Sequence, residues 1–387
     1  MRSLDSARDV CETFLPGLLG ELAEIPLERL ESAGNPGIEA FRRRGGPALV
    51  IPKAYSGIGA DPLRAVQTLR AIGAAAPSTA VATTMHHFSV ATLFALADSV
   101  KNSGMEWALL EGIAEQSLLV ASGFAEGRPG QGILSPTMSA VPVEGGYLVS
   151  GAKRPCSLSV SMDLLTASVA LPVDVPDGPD GPAGAEPRMA VLLIPKETPG
   201  IEVHPFWMAW ALAGAESDEV RLTDVFVDEQ LMMPTEAGEL GELDELQTIG
   251  FIWFELLISA SYLGMASALV ERVLARGRGH VTERAAVASK LETAALLLEG
   301  VARMVMDGET SNDALGKTLV SRYAVQDALG EAVRGAVELL GGMAFVQARD
   351  TAYLAAVTHA LTLHPPSRSS VAQPLADYFG GRPMRLA

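Results

Sequence analysis

Two residues of this 387-residue chain have the type and the setting of a proton acceptor. Glu255 directly follows the apolar run 251–254, and burial among such side chains would raise the pKa of its carboxyl group. His364 precedes two prolines in a predicted loop, and an imidazole titrates near neutral pH. Either group could remove a proton from a substrate. The alternative for Glu255 is an ion pair between helices.

Other residues of reactive type lack the spacing that their chemistry needs. His86 and His87 are adjacent, so on a helix they point about 100° apart and cannot share a metal ion as residues four apart can. Cys156 has no histidine at a characteristic spacing, which favours a small buried side chain over a nucleophile. Gly341 and Gly342 end a long helical pattern, where they either stop the helix or let the backbone approach a phosphate. No metal site is predicted.

Charge and composition argue against several classes of partner. A net charge of −17 argues against non-specific binding to nucleic acid. The longest apolar runs, near 113–124 and 251–265, are interrupted by polar residues or glycine, so no membrane span is predicted. Residues 1–9 are too polar for a signal peptide. The two cysteines suit a reducing compartment, and we expect a cytoplasmic protein.

The periodicity of the chain changes twice along its length. Helical patterns before residue 117 give way to short alternating strands up to residue 223, with a hairpin turn at Gly145 and Gly146. Helical patterns return from residue 239. We predict an α+β protein with an N-terminal helical domain (1–117), a middle β domain (118–236) and a C-terminal helical bundle (237–387). The proline-rich stretch 172–188 predicts an exposed hairpin tip.

Four phrases in the strand region are distinctive. They are Gly-Phe-Ala-Glu-Gly at 123–127, Gly-Tyr-Leu-Val-Ser-Gly-Ala-Lys at 146–153, Thr-Pro-Gly-Ile-Glu-Val at 198–203 and Val-Arg-Leu-Thr-Asp-Val-Phe-Val at 220–227. Together they resemble the middle domain of the acyl-CoA dehydrogenase family, and the similarity extends over nearly the whole chain. The resemblance implies the family's fold, with a β-barrel-like middle domain and a four-helix C-terminal bundle. It also implies an FAD cofactor.

The same resemblance implies which residues contact FAD. Phe124 and Glu126 lie where one family segment approaches the flavin ring, and Ser157 replaces the threonine of a second segment. Pro155 stands where the family has a tryptophan that shields the ring. The further contacts implied by the resemblance are with Gly341 and Gly342, which would serve a neighbouring subunit, and with Arg284 and Ser367.

The resemblance also assigns two places for the base that removes the α-proton of an acyl thioester. The loop position falls on Pro365, beside His364. The helix position falls on Phe254, beside Glu255. Neither proline nor phenylalanine can accept a proton, so the two neighbours, Glu255 and His364, are the candidate catalytic residues.

Three functions therefore stay open. The first is an FAD-dependent dehydrogenase that forms an α,β double bond in an acyl-CoA or a thioester on an acyl carrier protein. The second is a flavin monooxygenase or oxidase on the same fold, which needs no α-proton base. The third is a flavin-free member of the fold with a non-redox role in thioester handling or binding. We predict a homodimer or homotetramer, because the apolar C-terminal helices need partners.

Overall fold

The computed structural model describes residues 1–98, 104–128, 133–171, 188–235 and 243–386. In the described part, helices precede and follow a set of strands, as the periodicity predicts. The helices are α1 (Arg2–Phe14), α2 (Leu18–Ala23), α3 (Leu27–Leu30), α4 (Pro36–Arg43), α5 (Pro62–Ala75), α6 (Pro77–Ala97), α7 (Met105–Gln116), α8 (Glu245–Arg276), α9 (Val281–Met306), α10 (Asn312–Leu340), α11 (Gly342–Gln347), α12 (Arg349–Thr358) and α13 (Ala372–Phe379). The mixed helix and sheet class is confirmed. The predicted tip at 172–188 lies outside the described residues, apart from Arg188.

The strands form one sheet between the two helical regions. They are β1 (Val120–Gly123), β2 (Ser139–Val143), β3 (Gly146–Cys156), β4 (Leu164–Leu171), β5 (Arg188–Pro195), β6 (Ile201–His204), β7 (Asp218–Asp228) and β8 (Met232–Pro234). Their order is β6-β7-β3-β2-β4-β5-β8, with β1 parallel to β4. Gly145, at φ 76°, forms the predicted turn between β2 and β3. Strands β6 and β8 form the two ends of this strand order and do not pair with each other in the described part, so the predicted β-barrel-like domain is an open sheet there.

The C-terminal bundle consists of α8, α9 and α10 together with the shorter α12, which packs on α8 and α10. The apolar pattern of the sequence predicts helices over 251–276 and 286–306, whereas α8 and α9 begin a few residues earlier because each starts with a capping box. Asp244 and Gln247 cap α8, and His280 and Glu283 cap α9. Polar capping residues therefore extend helices beyond their apolar positions.

Two described helices, α6 and α8, are long and apolar enough to cross a membrane by length and composition. The shares of their apolar windows buried inside the protein are 72% and 89%. Their apolar surface is therefore mostly taken up by packing against other parts of the chain, as it is in core helices of globular proteins.

The close crossing of α5 and α8 fixes the position of α8. Gly264 of α8 lies so near α5 that a Cβ atom there would be 2.2 Å from the Arg70 carbonyl oxygen. Gly73 of α5 has the same relation to the Ser261 carbonyl oxygen. Since the neighbouring atoms are backbone, neither helix can accommodate a side chain at these points without moving.

We therefore expect Gly264→Ala to lower the free energy of unfolding by about 1–3 kcal/mol, because the added methyl group would force α5 and α8 apart. Gly112→Ala in α7 is the matched control. A Cβ at Gly112 meets nothing within 4 Å, so this change should raise the free energy of unfolding by about 0.5–1 kcal/mol. Urea unfolding of both variants measures the difference. Equal stability of Gly264→Ala and wild type would contradict the packing argument.

Candidate active site

A cavity of about 690 Å³ lies between the sheet, α6, α8 and the segment that follows α12. Its wall is mostly apolar. Phe88 of α6 stands edge-on to Phe254 of α8, with ring centroids 5.4 Å apart, and lies 6.3 Å from the ring of Phe124. Trp207, for which no site role is predicted from the sequence, also contributes to the wall.

Hydroxyl groups line the side of the cavity formed by the sheet. Ser157 and Ser217 lie opposite each other because Cys156 of β3 pairs with Asp218 of β7, and their Oγ atoms are 2.9 Å apart. Ser217 was missed from the sequence, since only the register of β3 and β7 brings it to Ser157. Ser122 also lines the cavity, and its hydroxyl has no hydrogen-bond partner among the described residues.

Glu126 holds the loop after β1 against the cavity. Its carboxylate accepts hydrogen bonds from the Thr137 backbone N–H at 2.9 Å, the Met138 N–H at 3.1 Å and the buried Lys153 ammonium at 2.9 Å. Burial alone would raise the pKa of Glu126, but the bonds from Thr137 and Lys153 lower it to about 2. The ionised carboxylate thus anchors a loop whose residues Ala125 and Gly127 face the cavity.

His364 lines the cavity from the segment after α12, and its imidazole is fixed by a tyrosine of α8. The Tyr262 hydroxyl and His364 Nε2 are 2.8 Å apart. Burial, with the positive charge of Arg322 nearby, lowers the pKa of His364 to about 3. The imidazole is therefore uncharged at neutral pH and a weaker base than the sequence analysis expected.

Glu255 points away from the cavity. The carboxylate Oε2 lies 2.9 Å from Arg322 Nε of α10 in an ion pair whose two side chains are almost fully buried. The contact is not aligned as a hydrogen bond, and both carboxylate oxygens lack a donor. Burial raises the pKa of Glu255 to about 7, although Arg322 opposes the shift. The neighbouring Phe254, one residue or about 100° around the helix, lines the cavity instead.

The remaining predicted contacts lie apart from the described cavity wall. Gly341 ends α10 at φ 81°, and a Cβ on it or on Gly342 would meet nothing within 4 Å. Arg284 donates to the carbonyl oxygens of Gly277 and Gly279 at 2.8 and 2.6 Å. Ser367 is exposed and bonds to neighbouring serines. Their predicted roles concern a cofactor shared with a second subunit and remain predictions.

The other residues of reactive type, His86 and Cys156, are engaged in hydrogen bonds or packing inside the protein. His86 Nε2 bonds to the Pro47 carbonyl oxygen, and its Nδ1 accepts from the Val120 N–H. Cys156 is buried, which raises the pKa of its thiol to about 12. Within the described ranges there is no group of three or more potential metal ligands.

The donor set of the cavity fits a flavin. A flavin has a polar ring edge and a broad apolar ring system. Ser157 and Ser217 share one hydrogen bond, so one of their two hydroxyl protons is left to donate, and the Ser122 hydroxyl is unpaired among the described residues. The apolar wall formed by Phe88, Phe124 and other side chains could pack on the rings.

Comparison with known proteins decides the family. The chain is 48% identical to isobutylamine N-hydroxylase of Streptomyces viridifaciens over 387 residues, which is the whole length of both proteins. The chain belongs to this N-hydroxylase family. It is also 24% identical over 271 residues to an L-prolyl-[peptidyl-carrier protein] dehydrogenase of a Serratia species, covering 66% of this chain and 64% of that protein. No protein-family model matches the chain.

Solved structures of the same fold hold a flavin. The FMN-bound TdsC of Paenibacillus sp. A11-2, a dibenzothiophene monooxygenase, matches with a TM-score of 0.81 and 18% identity over 100% of this chain and 99% of that one. The predicted acyl-CoA dehydrogenase-like fold is thus confirmed, and the predicted flavin agrees with these structures. Acyl dehydrogenation, the first predicted function, is not supported, and a partner that carries an acyl group is not shown. The alternative of a flavin monooxygenase agrees better with the N-hydroxylase relative.

The raised pKa of Glu255 allows a test of whether its carboxyl group is protonated in the folded protein. The folded protein holds this proton more tightly than the unfolded chain, so wild-type stability should fall as the pH rises from about 4.5 to about 7. Glu255→Gln lacks this loss and should gain stability relative to wild type over that range, by up to about 1.4 kcal/mol per pH unit. Urea unfolding at pH 5, 6, 7 and 8 measures the difference.

Glu271→Gln, on the same helix, is the control for this series. Arg8 lowers the pKa of Glu271, so its carboxylate is ionised in both the folded and the unfolded chain above about pH 5. The stability difference for this control should stay constant between pH 5 and 8. If the difference for Glu255→Gln also stays constant between pH 5 and 8, Glu255 is an ionised partner of Arg322.

The predicted contact of the glycine pair with the cofactor can be tested separately. Gly342→Asp should weaken FAD binding at least tenfold, because a carboxylate would repel the pyrophosphate of a cofactor bound across a dimer. FMN lacks the adenosine part, so its affinity should not change. Gly330→Asp adds the same charge to open space on α10 and serves as control. Quenching of flavin fluorescence measures both affinities, and unchanged FAD binding in Gly342→Asp would make the pair a helix stop only.

Proposed function

We propose that the protein is a flavin-dependent monooxygenase that hydroxylates the nitrogen of a small aliphatic primary amine. The whole-length similarity to isobutylamine N-hydroxylase supports the reaction class and the kind of substrate. The likeness to FMN-bound TdsC supports the cofactor class. FAD, which the family resemblance implies, and FMN both remain candidates for the flavin.

One observation favours this proposal and disfavours acyl dehydrogenation. The two positions to which the resemblance assigns an α-proton base are Phe254 and Pro365, and both side chains line the cavity. The acid beside the first, Glu255, faces Arg322, and the imidazole beside the second, His364, has a pKa of about 3. The transfer of an oxygen atom to an amine needs no carbanion, and neither Glu255 nor His364 offers a strong base to the described cavity wall.

The chain's own residues bind and orient the reactants. Ser122, Ser157 and Ser217 would hold the polar edge of the flavin, and the backbone of the loop anchored by Glu126 would approach its ring. Phe88, Phe254 and Leu363 would enclose the alkyl group of the amine and exclude water. When bound and reduced, the flavin supplies two electrons with which dioxygen is cleaved, one oxygen atom going to the amine nitrogen and the other leaving as water.

We further propose the three-part layout 1–117, 118–236 and 237–387 and a homo-oligomer. Three apolar side chains of α11 support the assembly because they are exposed in a single chain: Met343 by 63%, Phe345 by 44% and Val346 by 77%. The same surface carries Gly342, which the resemblance places near a cofactor of a second subunit.

The reaction is tested with purified protein, isobutylamine, dioxygen and a flavin that has been reduced with light. We expect N-isobutylhydroxylamine that contains one oxygen atom from labelled dioxygen, detected by mass spectrometry, and none when the protein or the flavin is omitted. Desaturation of an acyl thioester by the same preparation, without hydroxylamine from the amine, would contradict the proposal and restore the dehydrogenase.

A further inference from the structure

The ionisable groups that face the cavity determine which form of an amine it can hold. On the described wall these groups come from the loop after β1, from the N-cap and the middle of α8, and from the segment after α12. They are Glu126, Arg128, Asp244, Tyr262 and His364. Behind the wall, Arg322 of α10 lies next to Glu255. A bound ammonium group would need one of the two wall carboxylates as its partner.

Both wall carboxylates already serve the backbone. Glu126 accepts bonds from Thr137, Met138 and Lys153, and Lys153 provides a full compensating charge. Asp244 is the N-cap of α8, with its Oδ1 atom 2.7 Å from the Gln247 N–H. Turning either carboxylate toward a ligand would leave buried donors or a helix end unsatisfied.

His364 presents a hydrogen-bond donor to the cavity beside the apolar ring of Phe254. Among the described residues, the Tyr262 hydroxyl has His364 Nε2 as its only acceptor. When Tyr262 donates to Nε2, the proton of the neutral imidazole resides on Nδ1, which has no partner in the described part of the chain. An N–H group in this position can bond to the lone pair of a free amine. An ammonium ion has no lone pair to offer.

The positive charge of Arg322, which lies behind the imidazole, also disfavours a bound ammonium ion. The guanidinium of Arg322 lies close enough to His364 to lower the pKa of the imidazole, and it bonds to the Leu361 carbonyl oxygen at 2.5 Å. Glu255 offsets part of this charge, but burial raises the pKa of Glu255, which weakens the compensation near neutral pH. A second cation in the cavity would therefore meet a described wall whose two carboxylates already accept hydrogen bonds from the protein.

We propose that this cavity binds its amine as the uncharged free base, with His364, held by Tyr262, as the positioning residue that selects against the ammonium form. The inference rests on the proposed function and specifies its substrate as a monoamine with an apolar remainder. Diamines, which keep a second charge, and amino acids, which carry a carboxylate, should be excluded by the same wall.

The test measures the apparent Kd of isobutylamine for the flavin-loaded, oxidised wild-type protein by calorimetry between pH 7 and 9.5. An alkylammonium group has a pKa of about 10.4, so at pH 7.4 about one molecule in a thousand is uncharged. Binding of the free base predicts that the apparent Kd falls about tenfold for each pH unit. An apparent Kd that stays constant over this range would show that the ammonium ion binds, and would overturn the inference.

Isobutanol, an uncharged molecule of similar shape, is the control for titration of the protein itself. Its Kd should change less than about twofold over the same range, because the lowered pKa values of Glu126 and His364 and the raised pKa of Tyr262 keep these groups in one state. Glu255, whose pKa is raised to about 7, does titrate, but it faces Arg322 and not the cavity, and an uncharged ligand is insensitive to its charge. A Kd for isobutanol that follows the amine would assign the pH dependence to the protein and would also overturn the inference.

Asp244→Asn tests the one carboxylate that could still hold a cation at the cavity. Asparagine also caps helices, so the fold should be kept. We expect the same tenfold slope as in wild type, whereas a tenfold loss of affinity for isobutylamine at pH 7 would show a carboxylate–ammonium pair and contradict the inference. Hydroxylamine formation, measured on the same preparation, separates the two proposals. Its absence refutes the function, and its presence with a flat Kd refutes only the binding of the free base.

Discussion

The geometry of the candidate site depends on the fixed rotation of helix α8. Gly264 and Gly73 let α8 and α5 approach at backbone distance, and this contact leaves α8 no freedom to rotate. Successive residues on a helix point about 100° apart. With this rotation fixed, Phe254 faces the cavity, Glu255 faces Arg322 of α10, and Tyr262, two turns further on, reaches His364. A shift of one residue would place the Glu255 carboxylate in the cavity and the aliphatic side chain of Leu256 against the guanidinium.

The sheet contributes the opposite wall through a second geometric constraint. The antiparallel register of β3 and β7 ends with Cys156 opposite Asp218, so the residues just beyond, Ser157 and Ser217, come within hydrogen-bonding distance. The buried pair of Glu126 and Lys153 then fixes the loop after β1 beside them. Because a buried charge is tolerated only with a partner, this pair ties the loop to β3, and the cavity keeps one wall with hydroxyl groups and one apolar wall.

Much of the fold could be predicted from the sequence, because helix and strand periods differ and the turns carry glycine and proline. The strands β4 and β6, the turn at Gly145 and the end of α10 at Gly341 follow these patterns. The helix starts at Glu245 and Val281 do not, since capping residues are polar and interrupt the apolar pattern. Closure of the sheet depends on how β6 and β8 are placed, and local pattern contains no information on that placement.

Prediction of the site was limited for a related reason. Phe124, Ser157 and His364 are predicted site residues that do line the cavity. They could be predicted because the loops that hold them contain glycine or proline, which allows these loops to be matched to the corresponding loops of the family. The catalytic role predicted for Glu255 rests on its apolar neighbours. Because α8 is apolar on nearly every side, its sequence does not indicate which residues face the cavity and which face other helices. Ser217 and Tyr262 could be found only through pairing and packing across distant parts of the chain.

The same scaffold can serve two reactions because the chemistry depends on few wall positions. A base at position 254 or 365 would allow a proton to be taken from carbon, whereas the phenylalanine and proline that line the cavity at these positions cannot accept a proton. A nucleophile with its own lone pair needs no activation by the protein, provided that it arrives uncharged. An apolar wall meets this condition, because it costs more to desolvate an ammonium ion than a neutral amine. Under the proposed function, the absence of a base at these positions and the selection for a neutral amine therefore follow from the same two residues, Phe254 and Pro365.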